Sequence, residues 1–283
     1  MLLSVYFIQH YLNDKPAHFI PPTKKKNKPP LADCLSTLSS NPHVLYLVLC
    51  IFIFSVLTNM FEVSVKEKIS TIYPNQSGYL DFMSTFTGYK GLLCMITNVF
   101  NIRYLRRLGW FNIAMISPVV CIVAVNSFLL YSEHHHLFSS ILAIDNLDYY
   151  AAWSGVFGIV AIYTAKYTFF DTTKEMALIP LNDNDRANGK AAVDGLGGRL
   201  GKSGYGAIHT VLCTLTGFDH MQDITFYLLQ ITVVLSILWL WVMFRLNHSY
   251  QKAVLNQQGQ DDISLDNITT SDDETVETVV STA

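Results

Sequence analysis

Charge is scarce in this sequence. Asp, Glu, Lys and Arg make up 14% of its 283 residues, against 51% apolar ones, whereas a soluble domain carries about a quarter charged residues. The mean hydropathy is positive, at +0.29. A single water-soluble core cannot enclose that much apolar sequence, so the bilayer becomes the natural second solvent. The net charge of −3 by itself decides nothing about nucleic acid, and no nucleic-acid partner is expected. Cysteine is sparse too. The five present (Cys34, Cys50, Cys94, Cys121, Cys213) form no CxxC, and four lie in apolar stretches. Such residues behave as small hydrophobes, which excludes a disulfide framework and a zinc site from the expectations. The opening MLLSVYFIQHYL has no basic n-region and no small-residue cleavage site. It is also shorter than the about 20 residues that cross a bilayer. Residues 1–12 therefore read as the end of a helix that begins outside this sequence.

What is present is a series of apolar runs. Five spans are expected, at 44–60, 83–100, 111–131, 150–170 and 224–244. A sixth, at 203–218 (SGYGAIHTVLCTLTGF), is rich in Gly and Thr. That composition suits a helix buried among other helices, with a re-entrant or interfacial segment as the alternative. Basic residues alternate between the connections. Five lysines fall in 13–43, Arg103, Arg106 and Arg107 in 101–110, five basic residues in 171–202, and Arg245 and Lys252 after the last span. Fifteen of the 19 basic residues thus lie on one side, two on the other (Lys66, Lys68), and Lys90 and Lys166 inside spans. The positive-inside rule makes the lysine-rich side and the C-terminus cytoplasmic. The organisation expected is a helix end at 1–12, a basic cytoplasmic linker at 13–43, a six-helix transmembrane bundle at 44–246, and a disordered acidic cytoplasmic tail at 247–283. The linker's PPTKKKNKPP lies along anionic headgroups or is an ordinary loop between bundles.

Charges inside a membrane span are costly and mark candidate sites. Lys166, in AIYTAKYTFFD, reads either as a working cation or as a lysine snorkelling to the surface, and Lys90 has the same two readings. Glu62 and Lys66 stand at i,i+4 with the glutamate first, a spacing that lets them pair. If their helix runs past Met60 they form a gating or substrate-facing pair; if it ends there they are surface charges. The stretch from Lys166 to Gly206 carries Lys174, Arg186, Lys190, Arg199 and Lys202, with six glycines between Gly195 and Gly206. Glycines admit close approach of a ligand, and these cations suit phosphate oxygens. Lys190 and Asp194 again lie four apart, and Lys202 opens the sixth span, where a helix N-terminus favours anions.

Two tempting motifs fail. GRLGKS lacks the glycine that a phosphate-binding loop needs five residues before its GKS glycine, where Leu196 stands, and no strand precedes it. The run His134–His136 cannot turn three adjacent imidazoles onto one ion, so a polar loop is expected rather than a metal site. No cofactor is expected. An enzyme would need a nucleophile–base pair or a metal constellation in the spans; His209 is the histidine clearly within one and has no carboxylate neighbour.

KYTFFDTTKEMALIPL followed by GKAAVDGLGGRLGKSG resembles the nucleotide transporter family of obligate intracellular bacteria and plastids, the ATP/ADP translocases. In that family K-Y-x-x-F-D-x-x-K-E-M-x-x-I-P-L leads into K-G-K-A-A-V-D and G-K-S-G. NMFEVSVKEKISTIYPN resembles its N-x-x-E-V-x-W-K element and YLRRLGW its R-R-x-G-W loop, so the likeness covers roughly 35–240. Thr172, Val65 and Tyr205 depart from the pattern, standing where proline, tryptophan and a glycine-rich continuation are usual.

The resemblance implies an all-α integral membrane protein. This sequence would be one six-helix half of a twelve-helix transporter of the major-facilitator type. It implies exchange of ATP for ADP, with phosphate, by alternating access and without hydrolysis. The implied partners are ATP, ADP, phosphate, the lipid bilayer and an N-terminal six-helix half. The implied site residues are Glu62 and Lys202, with Lys66, Lys166, Lys174, Lys190, Asp194 and Arg199 as further candidates. The membrane expected is the inner membrane of an intracellular bacterium, or alternatively a plastid inner envelope. A proton-coupled nucleotide importer of the same fold, or an inactive split gene product, is the alternative function.

Overall fold

The computed structural model describes residues 31–134, 147–217 and 224–280. The expectations for 1–30, for most of the 134–149 loop and for the turn at 219–223 lie outside them. Of Arg103, Arg106 and Arg107 only the backbone is described. Every described element is helical. A short helix α1 (Leu31–Ser40) leads into α2 (Pro42–Ile72), α3 (Gln76–Leu108) and α4 (Trp110–Glu133). After them come α5 (Leu147–Ala165), α6 (Asp171–Ala177), α7 (Asp183–Ala192), α8 (Gly198–Thr216) and α9 (Thr225–Val280).

Two of the joints are single π-helical turns. Lys166–Phe170 links α5 to α6, and Val193–Gly197 links α7 to α8. The residues bounding them, Ala165, Asp171, Ala192 and Gly198, keep right-handed helical backbone, so each pair runs on as one rod. The chain then forms seven helical stretches among the described residues, one short and six long.

Local chemistry sets the boundaries. Asn41 caps α2 by accepting a hydrogen bond from the His43 N–H at 3.1 Å, and Pro42 occupies the first turn, where a missing donor costs nothing. α2 does not stop at Met60, as its apolar run does, but continues through Glu62 and Lys66 to Ile72, just ahead of Pro74. Gly109 adopts φ +73° between α3 and α4, a conformation that L side chains resist, and Gly217, at φ +70°, closes α8.

The backbone of α9 stays helical to Val280, where the sequence reads as a disordered tail. Beyond Pro180 there is no proline to interrupt it.

Three helices are long and apolar enough to cross a membrane by composition alone: Pro42–Ile72, Trp110–Glu133 and Thr225–Asn256. They contain three of the six expected spans. The others lie on α3, α5 and α8, where Gly, Thr, Ser and Tyr dilute the apolar runs. Such residues belong between helices more than against lipid.

α2 is the central post. It packs against α8, α9, α5 and α4, and 67% of its apolar stretch is buried, against 33% for that of α9. Trp239, Phe54 and Phe170 meet in its core. Glycines let the rods approach closely. A Cβ on Gly201 would lie 2.4 Å from Ser55 Cβ and 2.8 Å from the Phe52 carbonyl, so α8 presses on the backbone of α2. Gly155 and Gly158 leave space on α5 for the side chains of Val65 and Phe61.

Candidate functional site

The middle of the bundle holds a cluster of charge. Glu62 on α2, Lys90 on α3 and Tyr163 on α5 lie roughly 20–30 Å from the rod ends at Pro42, Leu108 and Ala177 and roughly 15–25 Å from the opposite ends at Ile72, Gln76 and Leu147, taking 1.5 Å per residue. Lys66 Nζ is 2.7 Å from Glu62 Oε1. The Tyr163 hydroxyl donates to Glu62 Oε2 at 2.8 Å. Lys90 Nζ sits 4.2 Å from the Tyr163 ring centroid and 5.6 Å from that of Phe86. Lys166 Nζ is 4.8 Å from the Tyr167 ring centroid and 6.0 Å from that of Tyr163. Both oxygens of the carboxylate are thus occupied, one by a cation and one by a neutral donor. Because α2 continues past Met60, Glu62 and Lys66 form a pair within the bundle, half-buried, rather than a set of charges beyond a helix end.

A second cluster lies where α6, α7 and the second π turn meet. Lys174 Nζ contacts Asp194 Oδ1 at 3.0 Å and Glu175 Oε1 at 3.9 Å, while Lys190 Nζ contacts Glu175 Oε2 at 2.7 Å. Lys174 is the sheltered member, its side chain 16% exposed against about half for the other three. The i,i+4 spacing of Lys190 and Asp194 does not produce their pair. The π turn opens at Val193, between them, and each finds its partner on α6 instead. Asp171 stands nearby. Burial pushes its carboxyl above the ordinary range, against the pull of Lys166 and Lys174.

Arg199 and Lys202 take another course. They stand on the exposed face of α8 with Ser203, Gly206, Thr210 and Thr214, and neither makes an ion pair among the described residues. Of the three cations expected at a phosphate-binding mouth, Lys190 is paired with Glu175, while Arg199 and Lys202 lie exposed on α8. The opposite face of α8 is structural. Gly201 and Gly204 meet α2, and Tyr205, 8% exposed, packs with Met60, Ile224 and Leu228.

The departures from the family pattern acquire local reasons. Val65 is fully buried against Gly155 of α5, leaving no room for a tryptophan. Thr172 continues a rod that a proline would interrupt, and its hydroxyl donates to the Thr168 carbonyl at 3.2 Å.

Sequence reasoning missed the roles of Tyr163 and Tyr167. The only signal is local: Tyr163, Lys166 and Tyr167 at i, i+3 and i+4 share one helix face. It also missed a knot at the end where α2 begins. His43 Nε2 donates to the Ala177 carbonyl at 2.8 Å, an acceptor orphaned at the end of the α5–α6 rod. Tyr250 stacks on Trp110 at 4.3 Å, and Trp110 Nε1 donates to the Thr173 carbonyl at 3.1 Å.

Apolar helices of spanning length around a charged mid-bundle cluster define a multi-pass membrane protein of the transporter class. Residues 2–250 match the TLC ATP/ADP transporter family, and the chain belongs to that family. Among its relatives, ADP,ATP carrier protein 3 of Rickettsia prowazekii (strain Madrid E) is 31% identical over 229 residues, which cover 81% of this chain and 46% of the relative. ADP,ATP carrier protein 3 of Rickettsia bellii (strain RML369-C) is 30% identical over 227 residues, covering 80% and 45%. ADP,ATP carrier protein 4 of Rickettsia conorii (strain ATCC VR-613 / Malish 7) is 28% identical over 233 residues, covering 81% and 46%. The chain spans about half the length of the curated relatives it matches. No solved structure matches it.

Proposed function

We propose that the chain is the second half of an ATP/ADP exchange transporter, with six of its seven described helical stretches crossing the membrane as one bundle of a twelve-helix, major-facilitator-type fold. The observation that carries this reading is the Glu62–Lys66 pair, with Tyr163 on its second oxygen, set in a spanning helix of a chain whose relatives are named ADP,ATP carriers. A closed ion pair at that depth is a switchable element. An incoming phosphate competes with Glu62 for Lys66, and the freed carboxylate changes what the α2 and α5 faces can hold. ATP and ADP differ by about one charge at neutral pH, so the two substrates bias such a pair differently.

In this reading the exposed polar face of α8, with Arg199 and Lys202, turns toward an N-terminal bundle of the same transporter. It lines the nucleotide path jointly with that bundle, and phosphate travels with ADP. Lys174, Lys190, Glu175 and Asp194 form a charge ring at the mouth, on the cytoplasmic side with the basic linker and the C-terminus. The setting is the inner membrane of an intracellular bacterium, and the chain itself is not an enzyme.

The test is uptake of labelled ATP, and its back-exchange against ADP, in bacterial cells expressing this chain together with an N-terminal half from a relative, and expressing each alone. ATP entry that depends on internal ADP and on this chain supports the reading. Entry that requires a proton gradient and no internal nucleotide replaces exchange with symport.

A further inference from the structure

Lys90 makes no ion pair among the described residues and belongs to none of the sequence motifs. It lies mid-rod on α3, half-buried, and its ammonium rests on the rings of Tyr163 and Phe86. Lys166 is placed in the same manner, over Tyr167 and, farther off, over the same Tyr163 ring. Two ammoniums therefore lie within 6.0 Å of one ring centroid. The carboxylates facing them are Glu62, which Lys66 and Tyr163 already hold, and Asp171, which also lies in the field of Lys174. Lys174 in turn is held by Asp194. Glu175 and Asp194 also face Asp171, and the Cys94 thiol contacts the Thr164 hydroxyl. Lys66 and Lys90 thus lie in the field of Glu62, and Lys166 in that of Asp171.

The aromatic faces hold these cations without satisfying their hydrogen-bonding capacity. An ammonium has three donors, and a ring accepts them more weakly than an oxyanion does. Moving Lys90 onto a phosphate breaks no ion pair, unlike moving Lys66. Lys166 opens the π turn Lys166–Phe170, and such turns recur at functional sites because they re-aim side chains out of helical phase.

We propose that Lys90 and Lys166, gathered on the rings of Tyr163 and Tyr167, form an oxyanion station inside the bundle, and that its ligand is a phosphate group, carried by a nucleotide or free. The station rests on the transport reading only for the source of that phosphate. Tyr163 links it to the Glu62–Lys66 pair, because the ring that holds Lys90 also donates to Glu62. Drawing Lys90 off the ring frees Tyr163 to shift relative to the carboxylate.

The test uses the full chain purified in detergent. Binding of inorganic phosphate, ADP, ATP and adenosine is titrated by calorimetry for the unaltered chain, Lys90→Gln, Lys90→Arg, Lys166→Gln and the remote control Lys252→Gln, with helix content checked by circular dichroism. Removal of one charge-assisted contact weakens the phosphate-bearing probes by about ten- to hundredfold in Lys90→Gln. Lys90→Arg and Lys252→Gln stay near the unaltered chain, and adenosine is indifferent to all four. If Lys90→Gln does not fold, Lys166→Gln decides by the same criterion. Unchanged affinity for every phosphate-bearing probe in the folded Gln variants overturns the station and leaves the exchange reading standing. An unaltered chain that binds none of the phosphate-bearing probes also overturns it. Binding of phosphate but of neither nucleotide, lost in Lys90→Gln, sustains the station and counts against ATP and ADP as its cargo.

Discussion

Tyr163 donates its hydroxyl to Glu62 Oε2 at 2.8 Å, the oxygen that Lys66 does not occupy. One carboxylate therefore joins α2 to α5 while staying paired within its own helix. A group so placed has a cation to release and a neutral donor to keep, which is the requirement for a pair that opens without leaving its carboxylate bare.

Replacing that carboxylate tests the arrangement directly. Glu62→Gln removes the ion pair and keeps the shape, and is expected to lower nucleotide exchange by about tenfold or more, the worth of one charge-assisted hydrogen bond. Tyr163→Phe keeps the Glu62–Lys66 contact and is expected to cost less. Exchange rates in cells expressing both halves separate the two. Equal exchange by Glu62→Gln and the unaltered chain removes Glu62 from the mechanism.

Packing of α8 on α2 depends on one missing methyl group. Gly201→Ala sets a carbon 2.4 Å from Ser55 Cβ and 2.8 Å from the Phe52 carbonyl, so the helix must move away. Destabilisation of about 1–3 kcal/mol is expected, read as a lower midpoint of thermal unfolding in detergent. Gly206→Ala on the open face meets nothing within 4 Å. It is expected to be neutral or to stabilise by up to about 1 kcal/mol through helix propensity.

Asp171 gives a pH dependence with a definite sign. Its carboxyl is raised above the ordinary range, mainly by burial, so folding favours the protonated form. That contribution is fully present below the unfolded value, about pH 4, and is lost as pH rises through the higher folded value. Asp171→Asn is therefore expected to unfold at a higher temperature than the unaltered chain at neutral pH, with the gap closing below about pH 4. A gap that widens toward acid would reverse the assignment.

The outer pair of the second cluster, Lys190 with Glu175, should matter little to stability. Lys190 and Glu175 are about half exposed. A double-mutant cycle on them is expected to give less than about 1 kcal/mol, shrinking further in high salt. A coupling of several kcal/mol would show that water does not reach the ring.

Much of this was legible in the sequence. Sparse charge and long apolar runs indicated a membrane protein, and the motifs around Lys166–Gly206 indicated the family. The Glu62–Lys66 pair followed from one i,i+4 spacing. The same rule failed for Lys190 and Asp194, because a π turn opens between them and both partners lie on α6. Apolarity alone left the end of α2 open. Apolar runs end at Met60 and Phe244, but backbone hydrogen bonding carries the helices through polar residues to Ile72 and Val280.

Sequence alone determined what acts within one helix or depends on composition: the solvent this chain needs, its family, and pairs of residues one turn apart. Helical geometry fixes those angles wherever the turn stays α-helical. Tertiary structure decided which donor meets the second oxygen of Glu62, which lysines rest on rings and which are already neutralised. Those contacts join residues from different rods. Their distances depend on how closely Gly155, Gly158 and Gly201 let backbones approach, and no spacing along the chain encodes that.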